Sequence, residues 1–330
     1  MVDDTGKMGT ENRFSYLIPK IENAPTLSDP FDHIEIEEFF HPDDFQAITQ
    51  SPEVKTNHIA SDDVLFKRLF DSGYKMVPFP GAITNSREYL HKRRTRSVFR
   101  EQNTACESQG VVLRLNEANS DILNELQQFI SSSQFLSAIA QKFNLDLESC
   151  TADVGLQKYL SGYEISPHPD MRKKAATFMV NINPHESSTT ATHHTHYLRF
   201  KAEKAYVQEY WRGNPSVERC WVPWDWCETV KQQSANNSFV AFAPSDDTMH
   251  AVKASYNHLK YQRTQLYGNL WRATNYVPPT KTFEWEAYQL PYERKTSPAK
   301  KGLRRFMSVL DKLRYVEARN NVDRSRRSNY

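Results

Sequence analysis

ISPHPDMRKKAATFMVNIN, residues 165–183, sets a histidine and an aspartate two positions apart, just ahead of an apolar run. On a strand, residues i and i+2 point to the same face. His168 and Asp170 therefore project together and can chelate one cation. Pro169 between them faces the other way and stiffens the chain. Imidazole with carboxylate suits a borderline divalent ion, and a second imidazole on the same face gives the open-sided set of non-haem iron(II). From residue 150 onward the apolar period is two. Strands are expected at 154–160, 165–171, 175–182, 194–200, 205–210, 238–244, 249–254 and 259–271.

The third ligand should come from a late strand. NNSFVAFAPSDDTMHAVKA, residues 236–254, supplies it. FVAFA reads as a buried strand, PSDD as a turn, and His250 follows. Thirteen residues on stands Arg263, in LKYQRTQLYGNLW (259–271). There Tyr261, Arg263, Gln265 and Tyr267 share one strand face, and Leu266 and Leu270 the other. A buried guanidinium without a partner is very costly, so an inward Arg263 implies a bound anion. A second H-x-D, His41–Pro42–Asp43, opens a polar segment ahead of a helix, and Asp43 there reads as a helix-start residue.

In this order, strand, H-x-D, strand, distal His and then Arg, residues 155–271 resemble the 2-oxoglutarate/iron(II) dioxygenase superfamily, within it the prolyl-hydroxylase-like group. The resemblance extends in element order over about residues 30–275, FDHIEIEEFFHPDDFQAI (31–48) being similar to the entry segment of that group. It implies that His168, Asp170 and His250 bind iron, and that Arg263 pairs with the far carboxylate of 2-oxoglutarate. Gln157 or Tyr159, Thr177 and Gln265 are further candidates to face the cosubstrate. The family often has R-x-S where this chain has Arg263–Thr264–Gln265, a departure at the third position. The implied cofactors are iron(II), 2-oxoglutarate and O2, with ascorbate as an auxiliary reductant. The implied reaction is a hydroxylation coupled to release of succinate and CO2, on a small-molecule, peptide or glycan substrate. The expected fold is α+β, mainly β: a double-stranded β-helix (jelly-roll) core, with helices from the N-terminal half and a C-terminal helix. The expected division is a loose leader over 1–28, the oxygenase domain over 29–290 with its barrel core at about 150–275, and a basic helix and tail over 291–330.

The remaining sequence fits around this core. Residues 33–38 suggest a strand, 41–46 a turn into a helix, 62–110 irregular chain, and 120–145 two amphipathic helical segments. Aromatics at 12% supply a core for a 330-residue chain. No run of about 18 apolar residues occurs, so no membrane span is expected. Cys106, Cys150, Cys220 and Cys227 form no C-x-x-C pair and read as reduced thiols of a cytoplasmic protein. The cluster His193, His194 and His196 lacks a carboxylate at useful spacing, and a strand-edge or mouth position is expected, with His196 towards substrate. Four tryptophans at 211–226 suggest a hairpin covering the barrel. The basic cluster Lys92, Arg93, Arg94, Arg96 and Arg100 reads as a solvated loop or as a lid. Residues 294–330 carry twelve Lys/Arg against three acidic residues, a tail suited to an anionic partner. No nucleic-acid motif accompanies it. Two rival readings follow: a cupin-like metal-binding protein without oxygenase activity, and a nucleic-acid-associated protein acting through the tail.

Overall fold

A computed structural model describes residues 12–79, 81–95, 109–215 and 217–273. Its α-helices are α1 (Leu17–Asn23), α2 (Pro42–Gln50), α3 (Asp62–Asp71), α4 (Ser86–Arg94), α5 (Asp121–Ile130), α6 (Ser133–Lys142) and α7 (Tyr206–Gly213). Its strands are β1 (Thr26–Leu27), β2 (His33–Ile36), β3 (Tyr74–Met76), β4 (Val112–Leu115), β5 (Cys150–Tyr159) and β6 (Glu164–His168), then β7 (Lys174–Asn181), β8 (Thr195–Phe200), β9 (Cys227–Gln233), β10 (Phe239–Phe242), β11 (His250–Lys253) and β12 (Arg263–Arg272).

The strands form two antiparallel sheets: eight strands in the order β1-β2-β10-β7-β12-β5-β4-β3, and four in the order β6-β11-β8-β9. Both have open edges, so the expected barrel is not closed. From β5 to β12 the chain passes large, small, large, small, small, large, small, large. Period two explains how the large sheet serves two purposes. On β7, Ala176, Phe178 and Val180 enter the main apolar core, while Thr177 and Met179 face a cavity. On β12, Leu266 and Leu270 face the core, and Arg263, Gln265, Tyr267, Asn269 and Trp271 face the cavity.

The core face is covered by α5 and α6. Phe135 of α6 meets Phe178 edge-on at 5.5 Å, and Phe129 of α5 meets Phe135 at 5.4 Å. The row continues to Phe14, 6.0 Å from both Phe129 and Phe40. Phe14, Leu17 and Ile21 are fully buried. The expectation of a loose leader is therefore corrected from Phe14 onward: three apolar side chains of α1 and its approach complete the core.

Other expectations are also revised. The stretch 62–110, read as irregular, contains α3, β3 and α4; Ser61 caps α3 and Asn85 caps α4 through their side chains. The strand expected at 205–210 is instead occupied by helix α7 (Tyr206–Gly213), whose buried positions, Val207 and Trp211, are four apart. The Trp-rich segment is therefore helix, loop and short turn, not a hairpin. The polar strand β9 carries little apolar signal in CETVKQQ. Lys92, Arg93 and Arg94 close α4, where cations complement the helix dipole; Lys92 pairs with Glu88 at 2.6 Å and Arg93 with Asp62 at 2.7 Å. Arg96, Arg100, Cys106 and the basic helix and tail of 291–330 lie outside the described residues. Cys150, Cys220 and Cys227 are free thiols. Among the described residues no helix is long and apolar enough to cross a membrane.

Candidate metal centre

β6 and β11 pair antiparallel with His168 directly opposite His250. Sheet register thus brings together two side chains 82 positions apart in sequence. Their rings lie 4.3 Å apart between centroids. Asp170 completes the group: its Oδ1 is 3.4 Å from His168 Nε2, and its Oδ2 is 3.7 Å from His250 Nε2. One ligand atom from each of the three falls within 4.8 Å of the others, and all three residues are buried.

The two histidines are held in the same way. His168 Nδ1 contacts the Ser166 carbonyl at 2.8 Å, and His250 Nδ1 contacts the Thr248 carbonyl at 2.8 Å. A carbonyl can only accept, so each Nδ1 donates and each Nε2 is left facing the cluster. Burial, with His168 beside it, pushes His250 down to about 3, which keeps the ring neutral and able to ligate.

Asp170 reaches the cluster differently from the expected strand. β6 ends at His168, and Asp170 sits beyond it with φ at 72°. That left-handed conformation is sterically disfavoured, though Asp tolerates it better than most residues. Two donors hold the turned carboxylate: Lys174 Nζ on Oδ1 at 2.6 Å and Thr177 Oγ1 on Oδ2 at 2.8 Å. Burial alone would raise this carboxyl, but Lys174, His250 and His168 outweigh it and hold it well below the usual range.

The triad lies in the wall of a cavity of about 400 Å³ between the two sheets. Arg263, Tyr159, Gln157, Gln265 and Thr177 line the same cavity, so every expected site residue is gathered there. Arg263 is 1% exposed, its Nη2 donates to Thr195 Oγ1 at 2.9 Å, and its Cζ lies 4.5 Å over the Tyr159 ring. Its Nε and Nη1 have no hydrogen-bond partner among the described residues. Thr195 pairs with Val252, two residues along β11 from His250. At about 3.3 Å per strand residue, the guanidinium's holder is thus about 7 Å along the sheet from the triad. Gln265 is engaged elsewhere, its Nε2 donating to Asn181 Oδ1 at 2.8 Å.

Lys174, Thr195 and Asn269 escaped the sequence reading. Lys174 lay in a run, MRKK, that looks like solvated charge; its i+4 spacing from Asp170 was the only signal. The other clusters resolve away from the triad. His41 stacks on Tyr16 at the start of α2. His193 and His194 are buried ahead of β8, and His196 lies edge-on to Trp224 at 5.3 Å; none of the three lines the cavity. Trp211 is buried on α7, Trp224 donates to Glu164 at 2.8 Å, and Trp221 lines the cavity.

No protein-family model matches this chain, and no curated protein sequence matches it. Among solved structures it is similar to a prolyl-4-hydroxylase of Pseudomonas putida, at 10% identity and TM-score 0.39, covering 78% of this chain and 98% of that one. It is also similar to a 2OG-Fe(II) oxygenase family oxidoreductase of Burkholderia pseudomallei, at 10% identity and TM-score 0.27, over 66% and 93% of the two chains. A third is a prolyl hydroxylase of Trichoplax adhaerens in complex with a hypoxia inducible factor peptide, at 10% identity and TM-score 0.29, over 64% and 89%. At these TM-scores the functional reading rests on the geometry of the site itself.

Proposed function

We propose that the protein is a non-haem iron(II), 2-oxoglutarate-dependent dioxygenase of the hydroxylase type, built on a double-stranded β-helix. The alternation of β5–β12 between two four-strand sets supports the jelly-roll reading. Two imidazoles and one carboxylate converging at the cavity wall are a donor set that fits iron(II).

The observation that carries the oxoacid is Arg263. A buried guanidinium with two unpartnered nitrogens, Nε and Nη1, needs an anion. Its fork donates two parallel bonds to a carboxylate. With one Asp ligand, iron(II) keeps a formal charge of +1, and a dianionic oxoacid complements both the metal and Arg263. The offset of about 7 Å along the sheet suits a five-carbon chain bound at both ends.

Bound iron(II) and 2-oxoglutarate supply, with O2, an oxidative decarboxylation to succinate and CO2 that places one oxygen atom in succinate and the other in a substrate C–H bond. The chain's own part is positional. His168, Asp170 and His250 hold the metal, and Arg263 anchors the oxoacid's far carboxylate. Tyr159 supports the guanidinium face, while Thr177 and Lys174 orient Asp170. Trp221, Trp271 and Phe79 line the same cavity and offer apolar surface to a substrate.

The test is succinate release from 2-oxoglutarate with added iron(II) and O2. Succinate should form slowly without a substrate and cease in the His168→Ala protein. Metal uptake with no succinate under any condition would favour the cupin-like alternative.

A further inference from the structure

We infer that Lys174 is the positioning residue of the metal centre, locking Asp170 in place and biasing a bound iron ion towards its divalent state. This rests on the metal-centre reading given above. Lys174 opens β7 and turns its ammonium inward. Its side chain is 10% exposed and that of Asp170 is 3% exposed, so the pair is not a solvated surface contact. Nζ donates to Asp170 Oδ1 at 2.6 Å and to Tyr267 Oη at 3.3 Å, and lies 5.5 Å over the Trp271 ring. Removing an ammonium from water is expensive, and its pairing with the buried Asp170 carboxylate offsets that cost.

The geometry gives the charge a use. Lys174 holds one carboxylate oxygen while Thr177 holds the other. Tyr267 donates in turn to Asn269 Oδ1 at 3.1 Å, 3.2 Å from Thr177 Oγ1, so both donors belong to one network across β7 and β12. Asp170 is therefore oriented before any metal arrives, as partners of metal ligands do. Thr177 provides orientation without charge. Lys174 adds a fixed positive charge beside the ligand, and such a charge disfavours a trivalent ion more than a divalent one.

The test compares the full-length proteins loaded with iron(II), without 2-oxoglutarate, in ferricyanide/ferrocyanide mixtures. One electron leaves iron(II) for ferricyanide, giving iron(III) and ferrocyanide. At the mixture that leaves the wild type half reduced, the iron(II):iron(III) ratio of Lys174→Met should fall about tenfold or more. Lys174→Arg, which keeps the charge, and Thr177→Val, which removes only a hydrogen bond, should stay near the wild type. The absorption spectrum of the cobalt(II)-loaded proteins should show the same ligand set in each. Lys174→Gln serves as the neutral variant if Lys174→Met does not fold. A wild-type ratio in the neutral variants, or an equal fall in Thr177→Val, overturns the proposal and leaves the metal centre standing. A wild-type protein that takes up neither iron(II) nor cobalt(II) overturns the metal centre itself.

Discussion

At the scale of single residues, Arg263 is what the proposed oxoacid site rests on. Its charge is buried, Nη2 is used on Thr195, and Nε and Nη1 remain without a partner among the described residues. Replacing it with Met removes the anchor but none of the triad's contacts. Arg263→Met should weaken 2-oxoglutarate binding by about 30-fold or more, the order of about 2 kcal/mol for a buried charged hydrogen-bonded pair, with metal uptake unchanged. Calorimetric titration of the manganese(II)-loaded protein measures both. Lys should rescue only in part, since it lacks the planar fork. Wild-type affinity in Arg263→Met would remove the reason for placing the oxoacid here. Arg263 was legible from its strand face and from the family resemblance; its holder Thr195 was not, because that contact joins β12 to the other sheet.

At the scale of elements, the site depends on β7 and β12 staying in register. Phe178 stands opposite Gly268, and a Cβ built on Gly268 would lie 2.1 Å from the Phe178 ring. The ring is fully buried and packed against Phe135 and Phe239, so it has little room to retreat. Gly268→Ala should cost about 1–3 kcal/mol, read as a lower urea midpoint with an unchanged slope. Asn269, the next residue, faces the cavity within reach of Thr177, so metal affinity should fall with the same substitution. A Gly268→Ala protein as stable as the wild type would show that the two strands separate more freely than the packing implies. The period-two stripes of β7 and β12 were readable from the sequence. Helix α7 was misread, because two apolar residues four apart within a short segment fit either period.

At the scale of the whole molecule, Lys158 ties the central sheet to the N-terminal helical layer. It is fully buried on β5, donating to the Val54 carbonyl at 2.8 Å and to Thr264 Oγ1 at 2.9 Å. Burial pushes it down from 10.5 to about 7. Between those values the unfolded chain binds more protons than the folded one, so this group makes stability rise with pH across that window. Below about 7 the charged form is buried at full cost. Relative to Lys158→Met, the wild type should therefore gain about 2–4 kcal/mol of unfolding free energy from pH 7 to 10. Parallel urea melts of the two proteins measure the difference, and curves that stay a constant distance apart would refute it.

The sequence by itself determined the strand stripes, the three candidate ligands, their order and the candidate arginine that follows them. These depend on i to i+2 alternation and on residue chemistry, both local. Only the tertiary structure decided the rest. It set His250 opposite His168 through the register of β6 and β11, turned Asp170 back through a left-handed conformation, and converted Lys174 from an apparent surface charge into a buried partner of Asp170. A charged side chain carries no local mark of its burial, because that is fixed by strands distant in sequence that close over it.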